Sequence, residues 1–222
     1  MELSRPRTFE EDQALRNAMF AFWEYGYEGA SMSVLMKATK MGKTSLYRTF
    51  GSKEELFRRA LQLYHSEYLD FRVEALAETT PKRIAEKLLY GIATLHTGEA
   101  TPPGCLETNG ALVCGPDNNA IREELARNRD QILPALRERL RKTSANGPLP
   151  RGLDADATAT LLATLIQGMA VQAKGGHSRA ELEDTVRAAL SLWDGTDAVD
   201  ESAAGNESAA RNESAASTAP AD

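Results

Sequence analysis

The sequence predicts an all-α protein, and three observations carry that prediction. Apolar residues recur at helical spacing in one segment after another. No segment shows the period-two alternation of a half-buried strand. Helix-start signals punctuate the chain, among them two capping boxes, Ser52 with Glu55 and Ser178 with Glu181. About nine helices are expected, divided between a small N-terminal three-helix domain over residues 10–57 and a larger helical domain over 58–193. Residues 1–9 read as a flexible arm carrying Arg5 and Arg7, and residues 194–222 as a disordered acidic tail.

The elements follow in order. Leu15, Met19, Phe22 and Trp23 give residues 10–25 an apolar stripe, which Gly26 ends. Ser31 can cap a helix over residues 32–39 with Leu35 and Ala38 inward. The connector Lys40-Met41-Gly42 is short, and Leu46 and Phe50, four apart, share the buried face of the next helix. Ser52 opens a long helix expected to reach Leu76. Thr80-Pro81, a cap followed by proline at the first helical position, opens another to His96. A loop with two prolines leads to a helix over 105–113. A longer helix over 117–142 contains Pro134, so a kink is expected near Leu133. The pair 154–174 and 178–193 closes the ordered part. The tail repeats Glu-Ser-Ala-Ala three times without a bulky apolar residue and cannot bury a core.

Helix, tight turn, helix over residues 32–50 is the helix-turn-helix arrangement, with the second helix as reader. Its exposed side carries Lys43, Thr44, Ser45, Tyr47, Arg48 and Thr49, side chains that reach phosphates and base edges in a major groove. Ser31 and Ser33 at the preceding helix start, and Lys53 just beyond, complete the candidate DNA-facing set. Gly42-Lys43-Thr44 looks like the end of a phosphate-binding P-loop. That motif needs a glycine where Lys37 stands, and no strand precedes it, so nucleotide hydrolysis is rejected. There is no dinucleotide glycine pattern and no His-Glu-x-x-His pattern, so neither cofactor nor metal is expected.

The run Gly26-Tyr27-Glu28-Gly29-Ala30-Ser31, then Leu46-Tyr47-Arg48-Thr49-Phe50, then Ser52-Lys53-Glu54-Glu55-Leu56-Phe57 resembles the N-terminal domain of tetracycline-repressor-type (TetR family) regulators. The resemblance implies that Tyr47 and Lys53 touch DNA phosphates and that Lys43, Thr44 and Arg48 face bases or backbone. It implies a dimeric regulator, a repressor of a palindromic operator, released by an unidentified small molecule or by thiol modification. Two positions depart from the family pattern. Lys40 stands where the turn usually has glycine, and Gly42 where the reading helix usually has a Ser or Asn cap. A left-handed turn is more strained for Lys than for Gly, while Gly is only a slightly weaker cap than Ser.

The formal charge of −6 does not oppose DNA binding. Residues 194–222 hold seven acids and one arginine, so the tail alone accounts for it. Residues 37–59 hold seven basic and two acidic side chains, a local +5, and nucleic-acid affinity follows where positive charge sits. No apolar run approaches the ~18 residues of a membrane span and no signal peptide is visible, so a cytoplasmic protein without membrane contact is expected.

In the second domain, small residues on the helix 154–174 permit close helix approach. Leu161, Leu165, Met169, Leu182, Val186, Leu190 and Trp193 form apolar faces that either meet a second copy, as the resemblance implies, or close an intramolecular core. A two-fold dimer suits half-sites one DNA turn apart. Phe71, Ile92, His96, Cys105, Asn109 and Met169 are candidates for an effector cavity, with ordinary core packing as the competing reading. Cys105 sits at a helix N-terminus, where the dipole favours thiolate, and is either a reactive sensor or a small buried residue. Cys114, nine residues on, would lie ~13 Å away along one helix and cannot pair with it. His96 is either a ligand contact or a favourable charge at a helix end. A reading from another class is a thiol-dependent helical enzyme, which requires Cys105 and His96 in hydrogen-bond reach.

Overall fold

The structure, a computed structural model, describes residues 7–112 and 118–196. Among these residues there are eleven α-helices and no strand, followed by a 3-10 turn at Ser191–Thr196. The order is α1 Arg7–Gly29, α2 Met32–Thr39, α3 Lys43–Phe50, α4 Lys53–Tyr68, α5 Phe71–Leu76, α6 Pro81–His96, α7 Leu106–Leu112, α8 Asn119–Asp130, α9 Ile132–Thr143, α10 Ala155–Lys174 and α11 Arg179–Leu190. The all-α expectation holds, and the two additional helices are breaks in segments read as continuous.

The first break divides the expected long helix at Leu69 and Asp70. No Gly or Pro marks it. Phe71 turns its ring onto α6 at Gly91, where an added Cβ would stand 2.4 Å from the ring, so tertiary docking overrides local helix continuity. The second break comes at Gln131, three residues before Pro134. Pro134 has no N–H for the carbonyl of Asp130, and the chain restarts its helix so that the proline falls in a first turn, where no such bond is needed. The expected arm is also shorter. Residues 7–9 are the first turn of α1, Asp194 belongs to the 3-10 turn, and residues 1–6 and 197–222, with most of the arm and tail, lie outside the described residues.

Two cores hold the helices, and the division does not fall at residue 57. One core joins α1–α4 to Cys105, Leu106, Ile121, Leu125 and Ala170, so α7, α8 and one face of α10 belong to the reading domain's own interior. Its centre is aromatic. Trp23 meets Tyr64 edge-on at 4.7 Å, and Phe22 meets Phe57 at 4.9 Å. Such pairs contribute ~0.5–1.5 kcal/mol beyond burial. The second core is formed by α5, α6, α9, α10 and α11 around Leu88, Leu89, Leu136, Leu162 and Leu182.

Polar contacts cross between the two halves. Trp23 Nε1 donates to the carbonyl of Gly104 at 3.0 Å. Lys174 Nζ donates to the carbonyl of Glu24 at 2.8 Å, and Arg58 donates to Glu124 at 3.0 Å. Gly104 has φ +83°, and an added Cβ would stand 2.3 Å from Asn109 Nδ2, so only glycine presents its carbonyl to Trp23 this way.

Candidate functional site

The reading unit is built from the α2–α3 turn outward. Ser31 caps α2 by accepting from Val34 N–H at 3.3 Å, and its hydroxyl lies 2.8 Å from that of Ser33. Thr39 closes the other end. Its hydroxyl donates to the Leu35 carbonyl at 2.8 Å and accepts from Met41 N–H at 3.3 Å. Lys40 takes the left-handed conformation, φ 58° and ψ 26°, the only non-glycine among the described residues with positive φ. Gly42 caps α3 with extended backbone and no side-chain bond, so the two departures from the family pattern keep the turn geometry.

Helix α3 is seated by Leu46 and Phe50, both buried, as their spacing predicts. Arg59 of α4 grips its C-terminal end. The guanidinium lies 4.8 Å above the Phe50 ring and donates to the Thr49 carbonyl at 3.4 Å. Sequence reasoning missed Arg59, although a basic residue two positions after buried Phe57 was the available signal. Lys43, Thr44 and Arg48 are exposed, and Tyr47 is 43% exposed. Ser45 and Thr49 are half-buried and line, with Lys40 and Arg48, a groove of about 570 Å³ between α3 and the first turns of α1. Tyr47 lies on the opposite side of α3 with Lys53, whose ammonium sits 4.6 Å above the Tyr27 ring. With its side chains an α-helix is ~10–12 Å across, which the ~12 Å width of a DNA major groove admits.

The reading unit connects to the second domain through α4 and α7. Tyr64 is fully buried and donates its hydroxyl to Cys105 Sγ at 3.3 Å. Burial, reinforced by Cys105, pushes the Tyr64 phenol well above its ordinary value, so it stays a donor. His65 Nε2 lies 2.6 Å from Glu107 Oε1, and Glu107 is almost fully buried. Next to this seam, His96 is fully buried with no hydrogen-bond partner at either ring nitrogen. Burial, and then the nearby charge of Arg72, push its imidazolium down to about 3, so the ring is neutral. Arg72 Nε is buried and likewise without a hydrogen-bond partner.

Comparison with known proteins agrees with this architecture. Residues 14–60 match the family described as bacterial regulatory proteins, tetR family, and residues 82–189 match the tetracyclin repressor-like C-terminal domain. The chain is 32% identical over 192 residues to the HTH-type transcriptional repressor ComR of Escherichia coli, covering 85% of this chain and 91% of ComR. The chain belongs to the TetR family. Its structure matches the TetR family regulator CifR, in a cysteine mutant complexed with a 26-bp double-strand operator, with TM-score 0.78 and 38% identity over 85% of this chain and 100% of CifR. It also shares its fold with reduced Escherichia coli NemR, TM-score 0.65 at 20% identity, covering 82% and 96% of the two chains.

Within this TetR fold the remaining candidate residues separate. Of the residues assigned to a dimer interface, Met169, Leu182, Val186 and Trp193 are buried inside the protomer and are corrected to core. Helix α10 is apolar around more than one face, and that pattern does not tell the inward side from the outward one. Leu161, Leu165 and Leu190 remain half-buried. The open seam of α10 runs through Ala157, Leu161, Thr164, Gly168 and Val171 at helical spacing, and Val171 is 48% exposed.

Among the effector candidates, Ile92 and Met169 are core. Phe71 seats α5 on Gly91, and Asn109 Nδ2 donates to the Pro103 carbonyl at 3.4 Å, closing the loop before α7. Only His96 and Cys105 stay at the seam. A neutral buried His96 is not a helix-end charge. The Cys105–His96 pair is not formed, since the thiol is bonded to Tyr64 and the imidazole to nothing. Cys114 lies outside the described residues. Tyr64, His65, Arg72 and Glu107 were missed. A side-chain pair spaced 42 residues apart leaves no local pattern, but Arg72 between Phe71 and Val73 was a visible anomaly. Among the described residues no helix is long and apolar enough to cross a membrane, and no cluster of His, Cys, Asp and Glu could hold a metal.

Proposed function

We propose that this DNA-binding transcriptional regulator represses its target genes in the cytoplasm by binding a palindromic operator as a homodimer. One observation carries the reading: Lys43, Thr44, Tyr47 and Arg48 project from a short helix whose opposite face is locked by Leu46, Phe50 and Arg59. A rigid cationic helix of groove width is a reading head. Lys43, Tyr47 and Lys53 meet phosphates, and Thr44, Ser45, Arg48 and Thr49 approach base edges, with Ser31 and Ser33 at the flank. CifR, 38% identical, is complexed with operator DNA, which supports DNA binding by this fold.

The open seam of α10, with Leu161, Leu165 and Val171, and the exposed Leu192 beyond α11 pair with a second copy. Release follows when a small molecule or modification of Cys105 disturbs the α4–α7 seam, because α4 also carries Arg59 and Lys53. Shifting α4 changes the separation of the two heads, and both then cannot reach their half-sites.

The test is operator selection with the purified chain, followed by salt titration of wild type and Lys43→Ala. Loss of one phosphate contact per protomer flattens the log–log salt slope by ~0.9 per protomer. A variant with unchanged affinity and slope removes Lys43 from the interface. A wild-type protein that ignores duplex DNA in dilute salt removes the function.

A further inference from the structure

We propose that the effector is an organic anion, a carboxylate on a small apolar body, held between Arg72 and Arg129. The inference rests on the proposed release by a small molecule and gives that molecule a chemical class.

A cleft closes where α5, α7, α8, α9 and α10 converge. Its polar wall holds Arg72, Arg129, Thr108 and Gln167, and its apolar wall Ile132 and Ile166. Two guanidiniums face a single carboxylate, Glu107, and that carboxylate is already paired with His65 at 2.6 Å. The cleft therefore carries uncompensated positive charge. In its wall, Arg72 Nε is buried without a hydrogen-bond partner. Buried polar atoms are nearly always satisfied, so this one marks a place for an acceptor. A carboxylate offers about four acceptor positions and matches the planar fork of a guanidinium. A cation meets the opposite situation, two guanidiniums and no free carboxylate. The apolar wall takes the body of the molecule.

As it stands, the cleft has about 10 Å³ of free volume, room for one water at most. Its occupant must open it, and the fold supplies the joints. The helix break at Leu69 and Asp70 lies just before Arg72, and the break at Gln131 lies between Arg129 and Ile132. Pivoting there moves α5 and α9 off α10 without unwinding a helix. Cys105 and Glu107 line the cleft on one side and bond to Tyr64 and His65 of α4 on the other. An arriving anion repels Glu107 and draws the guanidinium of Arg129, which also donates to the Glu107 carbonyl at 3.4 Å. The seam to the reading heads loosens as the ligand is bound.

The experiment titrates the full-length protein with sodium hexanoate and sodium benzoate against their neutral amides. It reads operator Kd and, separately, fluorescence of the two tryptophans, of which Trp23 contacts Tyr64. The acids are expected to raise operator Kd about tenfold or more, within the usual range of allosteric coupling, and the amides to do nothing. Arg72→Gln and Arg129→Gln should each weaken the acid effect about tenfold or more, as loss of a charge-assisted bond does, while operator affinity without acid is kept. Arg72→Lys should restore part of the response. If Arg72→Gln melts too low to use, the less enclosed Arg129→Gln decides. Acids and amides acting alike, neither changing fluorescence or Kd, or both Gln variants responding as wild type would overturn the proposal. Operator binding in the absence of acid is the independent reading, and its failure leaves the fluorescence titration able to decide the site.

Discussion

Replacing Lys40 by glycine should stabilise the reading unit and weaken its grip on DNA at the same time. Lys40 holds φ 58° and ψ 26°. That conformation costs an L-residue ~1–2 kcal/mol relative to glycine. Glycine recovers it but gives back ~0.4–1 kcal/mol through the greater freedom of the unfolded chain. The Lys40 side chain is exposed and has no packing to lose. The net gain is ~0.5–1 kcal/mol, or a rise in Tm of ~1–4 °C for a chain of this size. The variant also removes one positive charge per protomer beside α3, so the salt slope of operator binding should flatten by up to ~0.9 per protomer. Lys40→Ala separates the effects, since it loses the charge while the left-handed strain persists. Calorimetry and salt-dependent gel shifts on the three proteins read both quantities. A Lys40→Gly protein that melts lower than wild type would refute the strain argument. An unchanged slope would place Lys40 away from the phosphates.

Other outcomes follow from the buried groups and the open seam. His96 takes up its proton near 6.5 when unfolded and at about 3 when folded. Between those values the unfolded chain binds more protons, so stability falls with falling pH by up to ~1.4 kcal/mol per unit and is complete above the upper value. In His96→Leu that component of the acid sensitivity should be absent, as urea midpoints near pH 7 and pH 5 would reveal; an identical slope in both proteins counts against a buried neutral imidazole. Val171→Glu places a charge on the exposed seam of α10 and should yield monomers, detectable by light scattering, with a lower Tm that no longer depends on protein concentration, whereas a persistent dimer would move the interface elsewhere.

Much of this fold was legible because local chemistry and tertiary structure agree. Both capping boxes form, and Ser31 and Thr80 cap where the sequence places caps. Leu46 and Phe50 turn inward as a four-residue spacing requires. Apart from the break at Gln131, whose cause is the nearby Pro134, the disagreements share one cause: the deciding partner is distant in sequence. Phe71 breaks a helix because Gly91 on another helix receives its ring. Met169, Leu182 and Val186 are inward because α6 and α9 cover them, and α10 is apolar enough on several sides to have turned otherwise. The seam was the least legible part. Tyr64, His65 and Glu107 are unremarkable singly, and Cys105 stands out only by its place at a helix start; only the folded chain brings Tyr64 within 3.3 Å of Cys105 and His65 within 2.6 Å of Glu107.

The indole bond from Trp23 to Gly104 has an implication for engineering. A fragment ending near residue 60 would uncover the aromatic centre formed by Trp23 with Tyr64, and the cut would fall inside α4. Chimeras that transplant the DNA-recognition end onto another sensor should therefore carry α7 and its preceding loop along. Grafts cut at the edge of the helix-turn-helix would meet a mismatched roof and aggregate, however well their reading helices match the intended operator.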